Sequence, residues 1–365
     1  AAREIDWLYE RAMALAALAP YLSGQQRQQV LGEALAAARK IDWSYARAEA
    51  LAALVPHVSG QQSQQVLYEA LAAAREITGW PSARAKVLAA LAPYLSGQQR
   101  QQVLGEALAA AREIDDSYAR AEALAALAPY LSGQQKQQVL GEALAAAREI
   151  NVSYARAEAL AALAPHLLPE QLGEALAAAR KIDQSDARAK ALAALAPYLS
   201  GQQRQQVLGE ALAAAREINV SYARAEALAA LAPHLLPEQL GEALAAARKI
   251  DQSDARAKAL AALAPYLSGQ QRQQVLGEAL AAAREIDDSY ARAEALAALA
   301  PHAQHLNAAN LFSFWCDTLR ALAARTLPEL LSDLQILVPM IVALGGQKAA
   351  EDIARALLDF VETSN

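Results

Sequence analysis

Along most of the chain, apolar residues recur at alternating three- and four-residue steps. In "SGQQKQQVLGEALAAAREI" (132–150), Val139, Leu140, Ala143, Leu144, Ala147 and Ile150 fall on one stripe, with Gln138, Glu142, Arg148 and Glu149 on the other side. This is the 3.6-residue period of an amphipathic helix. The preceding stretch, "SYARAEALAALAPYL" (117–131), predicts a first helix with Ser117 as N-cap. That helix should end near Pro129, which has no N–H to donate. Ser132 and Gln135 have capping-box spacing and predict the start of a second helix. No segment alternates with period two, so no sheet is expected.

The helix pair is a repeat. Its prolines are Pro20, Pro56, Pro93, Pro129, Pro165, Pro197, Pro233, Pro265 and Pro301, spaced by 32 to 37 residues. A fixed period in this range is the signature of stacked units that bury their faces only against neighbours. Residues 137–218 and 205–286 are identical. Two units are four residues short: "APHLLPEQLGEALAAAR" at 164–180 and again at 232–248. The missing residues come from the start of the second helix, about one turn, upstream of the apolar stripe. Pro169 and Pro237 then stand where a first helical residue would be. The single glycines of "SGQQ" and "LGEAL" read as helix-start and close-packing positions.

The expected fold is all-α: a right-handed α-solenoid of stacked antiparallel helix pairs over 1–302. From Ala303 the repeat stops and Phe312, Phe314, Trp315 and Phe360 appear. "TLPE" (326–329) has capping-box spacing, and Gly345-Gly346 reads as a helix stop. Residues 303–365 are therefore expected to form a three-helix C-terminal cap. The opening "AAREID" matches 110–115, the end of a unit, so the chain is expected to be the C-terminal part of something longer.

Composition narrows the function classes. Alanine supplies much of the 55% hydrophobic content and aromatics only 5%, which suits close helix packing. The net charge of −6 gives no basic excess for nucleic acid or an acidic membrane. "LQILVPMIVALGG" (334–346) is too short to span a bilayer. One cysteine, Cys316, rules out an internal disulfide framework and fits a cytoplasmic, reducing compartment.

Candidate chemistry is sparse. "GGQKA" (345–349) lacks the spacing of a phosphate-binding loop. His57, His166, His234 and His302 follow the repeat proline where other units carry Tyr21, Tyr94, Tyr130, Tyr198 and Tyr266. A position that accepts either ring reads as packing or hydrogen bonding; His302 and His305 alone are too few ligands for a metal. No catalytic residue, cofactor or metal is expected. One arginine recurs per unit (Arg47, Arg84, Arg120, Arg156, Arg188, Arg224, Arg256 and Arg292). It is read as ion pairing rather than as one contact per base of RNA.

Units this alike make their differences informative. Trp7, Trp43 and Trp80 occupy the turn before the first helix, where later units carry Asp116, Val152, Gln184, Val220, Gln252 and Asp288. They either pack on an adjacent helix or on a part upstream of residue 1, or anchor a partner. Tyr118 with Glu122 becomes Asp186 with Lys190 and Asp254 with Lys258, read as an ion pair within one helix.

The unit resembles a tetratricopeptide repeat. Leu104-Gly105 and Leu140-Gly141 precede Pro129 and Pro165 at that family's spacing, while Gln137 and Ser153 replace its tryptophan and alanine. That likeness implies a concave face lined by Gln102, Glu106, Gln138, Glu142, Gln206 and Glu210, residues that read equally as a plain solvated helix face. The "EALAAAREI…ARAEALAALAP" pattern is also similar to the C-terminal arms of bacterial STAND-type NTPases with NACHT or NB-ARC modules. This resemblance implies a non-enzymatic sensor arm that binds a protein or peptide. Two other functions fit such an array: a scaffold self-associating through its tryptophan-bearing end, and, third, an RNA-binding repeat.

Overall fold

The computed structural model describes Ile5, residues 7–306, Phe312, Cys316, Val338, Ile341, Val342 and residues 346–355. Among these residues the regular structure is all helical, and consecutive helices pack in pairs. The fold is an all-α solenoid of repeated helix pairs. Each unit contributes a first and a second helix: α1 (Leu8–Leu18) and α2 (Gly24–Arg39), α3 (Ser44–Leu54) and α4 (Gly60–Arg75), α5 (Pro81–Leu91) and α6 (Gly97–Arg112), α7 (Ser117–Leu127) and α8 (Gly133–Glu149). The series continues with α9 (Ser153–Leu163) and α10 (Pro169–Arg180), α11 (Ser185–Leu195) and α12 (Gly201–Glu217), α13 (Ser221–Leu231) and α14 (Pro237–Arg248), α15 (Ser253–Leu263) and α16 (Gly269–Arg284), then α17 (Ser289–Leu299). The chain divides into two compact units, Ala1–Ala178 and Ala179–Asn365.

The stripe read from the sequence is the core. Val139, Leu140, Ala143, Leu144 and Ala147 of α8, and Ile150 directly after it, are all buried, as are Ala121, Leu124 and Leu127 of the paired α7. Within the first compact unit, α1, α3, α5, α7 and α9 each pack on the next member of that series. In the second, α11, α13, α15 and α17 do the same. Small alanine faces such as Ala121 and Ala157 permit this approach.

Helix starts differ from the sequence reading in two respects. The N-cap of α7 is Asp116, whose carboxylate accepts from the Ala119 amide at 2.8 Å, so Ser117 is already the first helical residue. Ser132 precedes α8 but makes no side-chain cap bond. Gly133 enters the helix at φ +52°, a left-handed turn open to glycine, so the capping box does not form. The first helices also end sooner: α7 stops at Leu127, and Ala128–Tyr130 form a 3₁₀ turn around Pro129.

The short units shorten as expected. α6 has 16 residues and α10 has 12, the latter opening directly at Pro169. The "LGEAL" glycines divide: a β-carbon at Gly141 or Gly209 would touch Gln171 Nε2 at 4.0 Å or Gln239 Nε2 at 3.9 Å, whereas four others face open space. A β-carbon at Gly32, Gly105, Gly173 or Gly241 would meet nothing within 4 Å. Most of the expected cap over 303–365 lies outside the described residues, including Phe314, Trp315, Phe360 and 326–329; of the rest, Phe312 is exposed and 346–355 are helical.

Candidate functional site

The tryptophans occupy one register. Trp7, Trp43 and Trp80 are the residues immediately before α1, α3 and α5. None makes a side-chain cap bond, and they are 76%, 80% and 69% exposed. None is buried against a helix of the described residues. Trp7 and Trp43 have nearly the same extended backbone, whereas Trp80, after Gly79 at φ +74° and before Pro81, takes ψ 69°. Trp7 and Trp43 line a common groove of about 700 Å³, together with Tyr9, Lys40, Tyr45 and Glu49. On its floor the Tyr9 hydroxyl donates to Glu49 at 2.7 Å, and Lys86 reaches the same carboxylate at 3.2 Å. Burial and that hydrogen bond push the Tyr9 phenol up to about 12.

The arginine ladder is internal. In α7, Arg120 donates to the Ile114 carbonyl at 2.7 Å and the Asp115 carbonyl at 3.1 Å, clamping the turn that precedes its own helix. Its other nitrogen reaches Glu149 of the same unit's second helix at 2.5 Å. Arg47 repeats this with Ile41 and Glu76, Arg188 with Ile182 and Glu217, and Arg256 with Ile250 and Glu285. Arg84 meets Glu113 at 2.7 Å. The ion-pairing reading holds for Arg47, Arg84, Arg120, Arg188 and Arg256, each with a glutamate 29 residues on; Arg224 of a short unit donates instead to the Ile218 and Lys249 carbonyls.

A second ladder joins successive second helices and takes up the glutamine–glutamate candidates. Arg75 holds Glu106 through two bonds at 2.9 and 3.0 Å. Arg112 holds Glu142, and Arg180 holds Glu210, in the same two-pronged way. Gln102, Gln138 and Gln206 each donate to the glutamate four residues on, at 2.9–3.0 Å. The arginine bonds hold all three carboxyls below their ordinary range. These six residues are brought together as staples between units.

The first helices are laced similarly. Tyr118 donates to Glu122 at 2.8 Å and to Glu158 of the next first helix at 3.4 Å. The Asp254 and Lys258 pair expected within one helix is instead shared between helices. Lys258 reaches Glu294 at 3.7 Å and lies over the Tyr222 ring, while Tyr222 donates to Asp254. A side chain at the first turn of one helix simply finds the neighbouring first helix within reach.

The Tyr/His position after the proline packs against a cation of the preceding second helix. Arg100 lies over the Tyr130 ring at 5.9 Å, with its Nε buried and unpaired. Burial, then nearby Lys136 and Arg204, hold His166 and His234 below the ordinary histidine value; His302 is lowered by burial, His305 and Arg272.

Sequence reasoning missed Gln171 and Gln239. Both are buried polar side chains in the short units. Gln171 donates to the Gln137 carbonyl at 3.0 Å, and its oxygen accepts from the Leu168 amide at 3.2 Å. Gln239 repeats both bonds with Gln205 and Leu236. Among the described residues, no group of three or more His, Cys, Asp or Glu could hold a metal, and no helix is long and apolar enough to cross a membrane.

No family model matches the chain, and no curated protein matches it. Among solved structures, the crystal structure of Ton1535 from Thermococcus onnurineus NA1 is similar over 82% of this chain and 93% of that one, at 17% identity and a TM-score of 0.34. Likeness at that level carries no functional information.

Proposed function

We propose that this chain is a non-enzymatic solenoid that binds another protein through the edge bearing Trp7, Trp43 and Trp80. The observation that carries the reading is the exposure of all three indoles at one register of successive units. Of the charged side chains near them, Glu49 and Arg47 are engaged between helices, Glu49 with Lys86 and Arg47 with Glu76. Large exposed aromatics are the residues on which protein interfaces concentrate their binding energy. The repeat pattern's resemblance to STAND-type NTPase arms supports a finer reading: a cytoplasmic bacterial sensor arm whose bound partner controls a nucleotide-driven switch. The reading frame upstream of residue 1 tests that finer reading; a phosphate-binding module there is expected, and a frame holding only further repeats removes it.

The binding reading itself is tested by comparing the wild-type chain with W7A/W43A/W80A. A partner captured by the first should be lost by the second, with the melting temperature unchanged. If the captured set is the same for both, or if the triple variant unfolds, the edge is not the interface. Light scattering on both chains separates the alternative of a self-assembling array, in which the wild type alone would be oligomeric.

A further inference from the structure

The groove at the starts of α1 and α3 has a definite chemistry. Two exposed indoles, Trp7 and Trp43, and two half-buried phenols, Tyr9 and Tyr45, line it. Three carboxylates line it: Glu10, Asp42 and Glu49. Glu49 is already matched by Tyr9 and Lys86. Among the described residues no ion pair engages Glu10 or Asp42, and Lys40 is the one ammonium among the lining side chains.

These features select against most occupants. An anion would meet two carboxylates that no ion pair among the described residues engages, in a lining with four aromatic side chains. A purely apolar side chain would cover those carboxylates without compensating them. A cation with an aliphatic stem satisfies both demands: the stem lies along the rings, the charge sits on an indole face, and the carboxylates stand beside it. The net charge of −6 adds a long-range attraction for a basic segment.

We propose that this groove takes an arginine or lysine side chain presented by a basic segment of a partner protein, with the cation on an indole face and Glu10 and Asp42 as its counter-charges. The inference rests on the reading of the tryptophan edge as a partner surface and names what that surface selects.

The test titrates the full chain with two short peptides that differ only in carrying a Lys-Arg pair or two norleucines, followed by tryptophan fluorescence and calorimetry. The basic peptide should bind and the norleucine peptide should bind at least about tenfold more weakly. Salt should weaken the basic peptide further. W43A should lower its affinity by about tenfold or more, and E10Q/D42N by several-fold. V220A, at an exposed site in the second compact unit and outside the groove, should leave it unchanged. Equal binding of both peptides, an unaffected E10Q/D42N variant, or no binding of either peptide overturns the proposal. Each of those results leaves the capture experiment with W7A/W43A/W80A as a separate readout of whether the edge binds a protein at all.

Discussion

Residue 43 stands where a helix ordinarily takes Ser, Thr, Asp or Asn. The unit beginning at Asp116 shows the capped alternative, with its carboxylate on the Ala119 amide. Trp43 gives up that bond and stays 80% exposed, so neither local capping nor burial accounts for an indole there. W43D converts "IDWS" into the "IDDS" found at 114–117. It should therefore stabilise the chain by about 1 kcal/mol, read as a higher melting temperature, while weakening partner binding. A lower melting temperature would mean that the indole supports the fold. The register of the three tryptophans was legible in the sequence; their exposure was not, because it depends on how the preceding turn delivers the chain to the helix. The partner of Arg120 was equally hidden. Glu122 is nearer in sequence, but side chains two apart point to different sides of a helix. The turn folds back instead and brings Glu149 into range.

At the scale of the element, the second helices were read almost entirely from their stripe, because burial follows the 3.6-residue period wherever each unit stacks on the next. The four-residue deletion was legible for the same reason: it falls before Leu172, the first buried leucine of α10. The device that seals the shortened helix was not. Nothing in "LPEQL" distinguishes Gln171 from the exposed glutamines of "SGQQ", and its burial follows from Pro169 starting the helix closer to the Gln137 carbonyl. Four of the "LGEAL" glycines, Gly32, Gly105, Gly173 and Gly241, went the other way, expected at a close approach and found facing open space. A mid-helix glycine with ordinary helical backbone and room for a β-carbon costs roughly 0.5–1 kcal/mol relative to alanine. G32A, G105A, G173A and G241A should each raise the melting temperature, and the combined variant should raise it furthest, since the sites are well separated. A fall in melting temperature for any of them would show an approach that the structure does not contain.

Across the whole molecule, one position couples stability to pH. His166 lies in the first compact unit, and His234 and His302 in the second. All three are held below the ordinary value of 6.5, chiefly by burial and then by a neighbouring positive charge. Above that value the histidines are neutral whether the chain is folded or not, and their contribution is complete. As pH falls below it, the unfolded chain takes up protons that the folded chain refuses, so stability declines until the lowered folded value is passed. The glutamates of the second ladder act in a lower window. Glu69, Glu106, Glu142, Glu210 and Glu278 are held below 4.5, mainly by their arginines, so their contribution is present above that value and is lost as pH falls through the folded one. The melting temperature should therefore drop in two stages as the solution is acidified. Tyrosine is the natural replacement for the histidines, since it occupies the same position in the units ending at Tyr94, Tyr130 and Tyr198. H166Y/H234Y/H302Y should abolish the upper stage and leave the lower one. If the triple variant loses stability between neutral pH and about 5 as steeply as the wild type, the histidines are not its source, and the upper stage belongs to other groups.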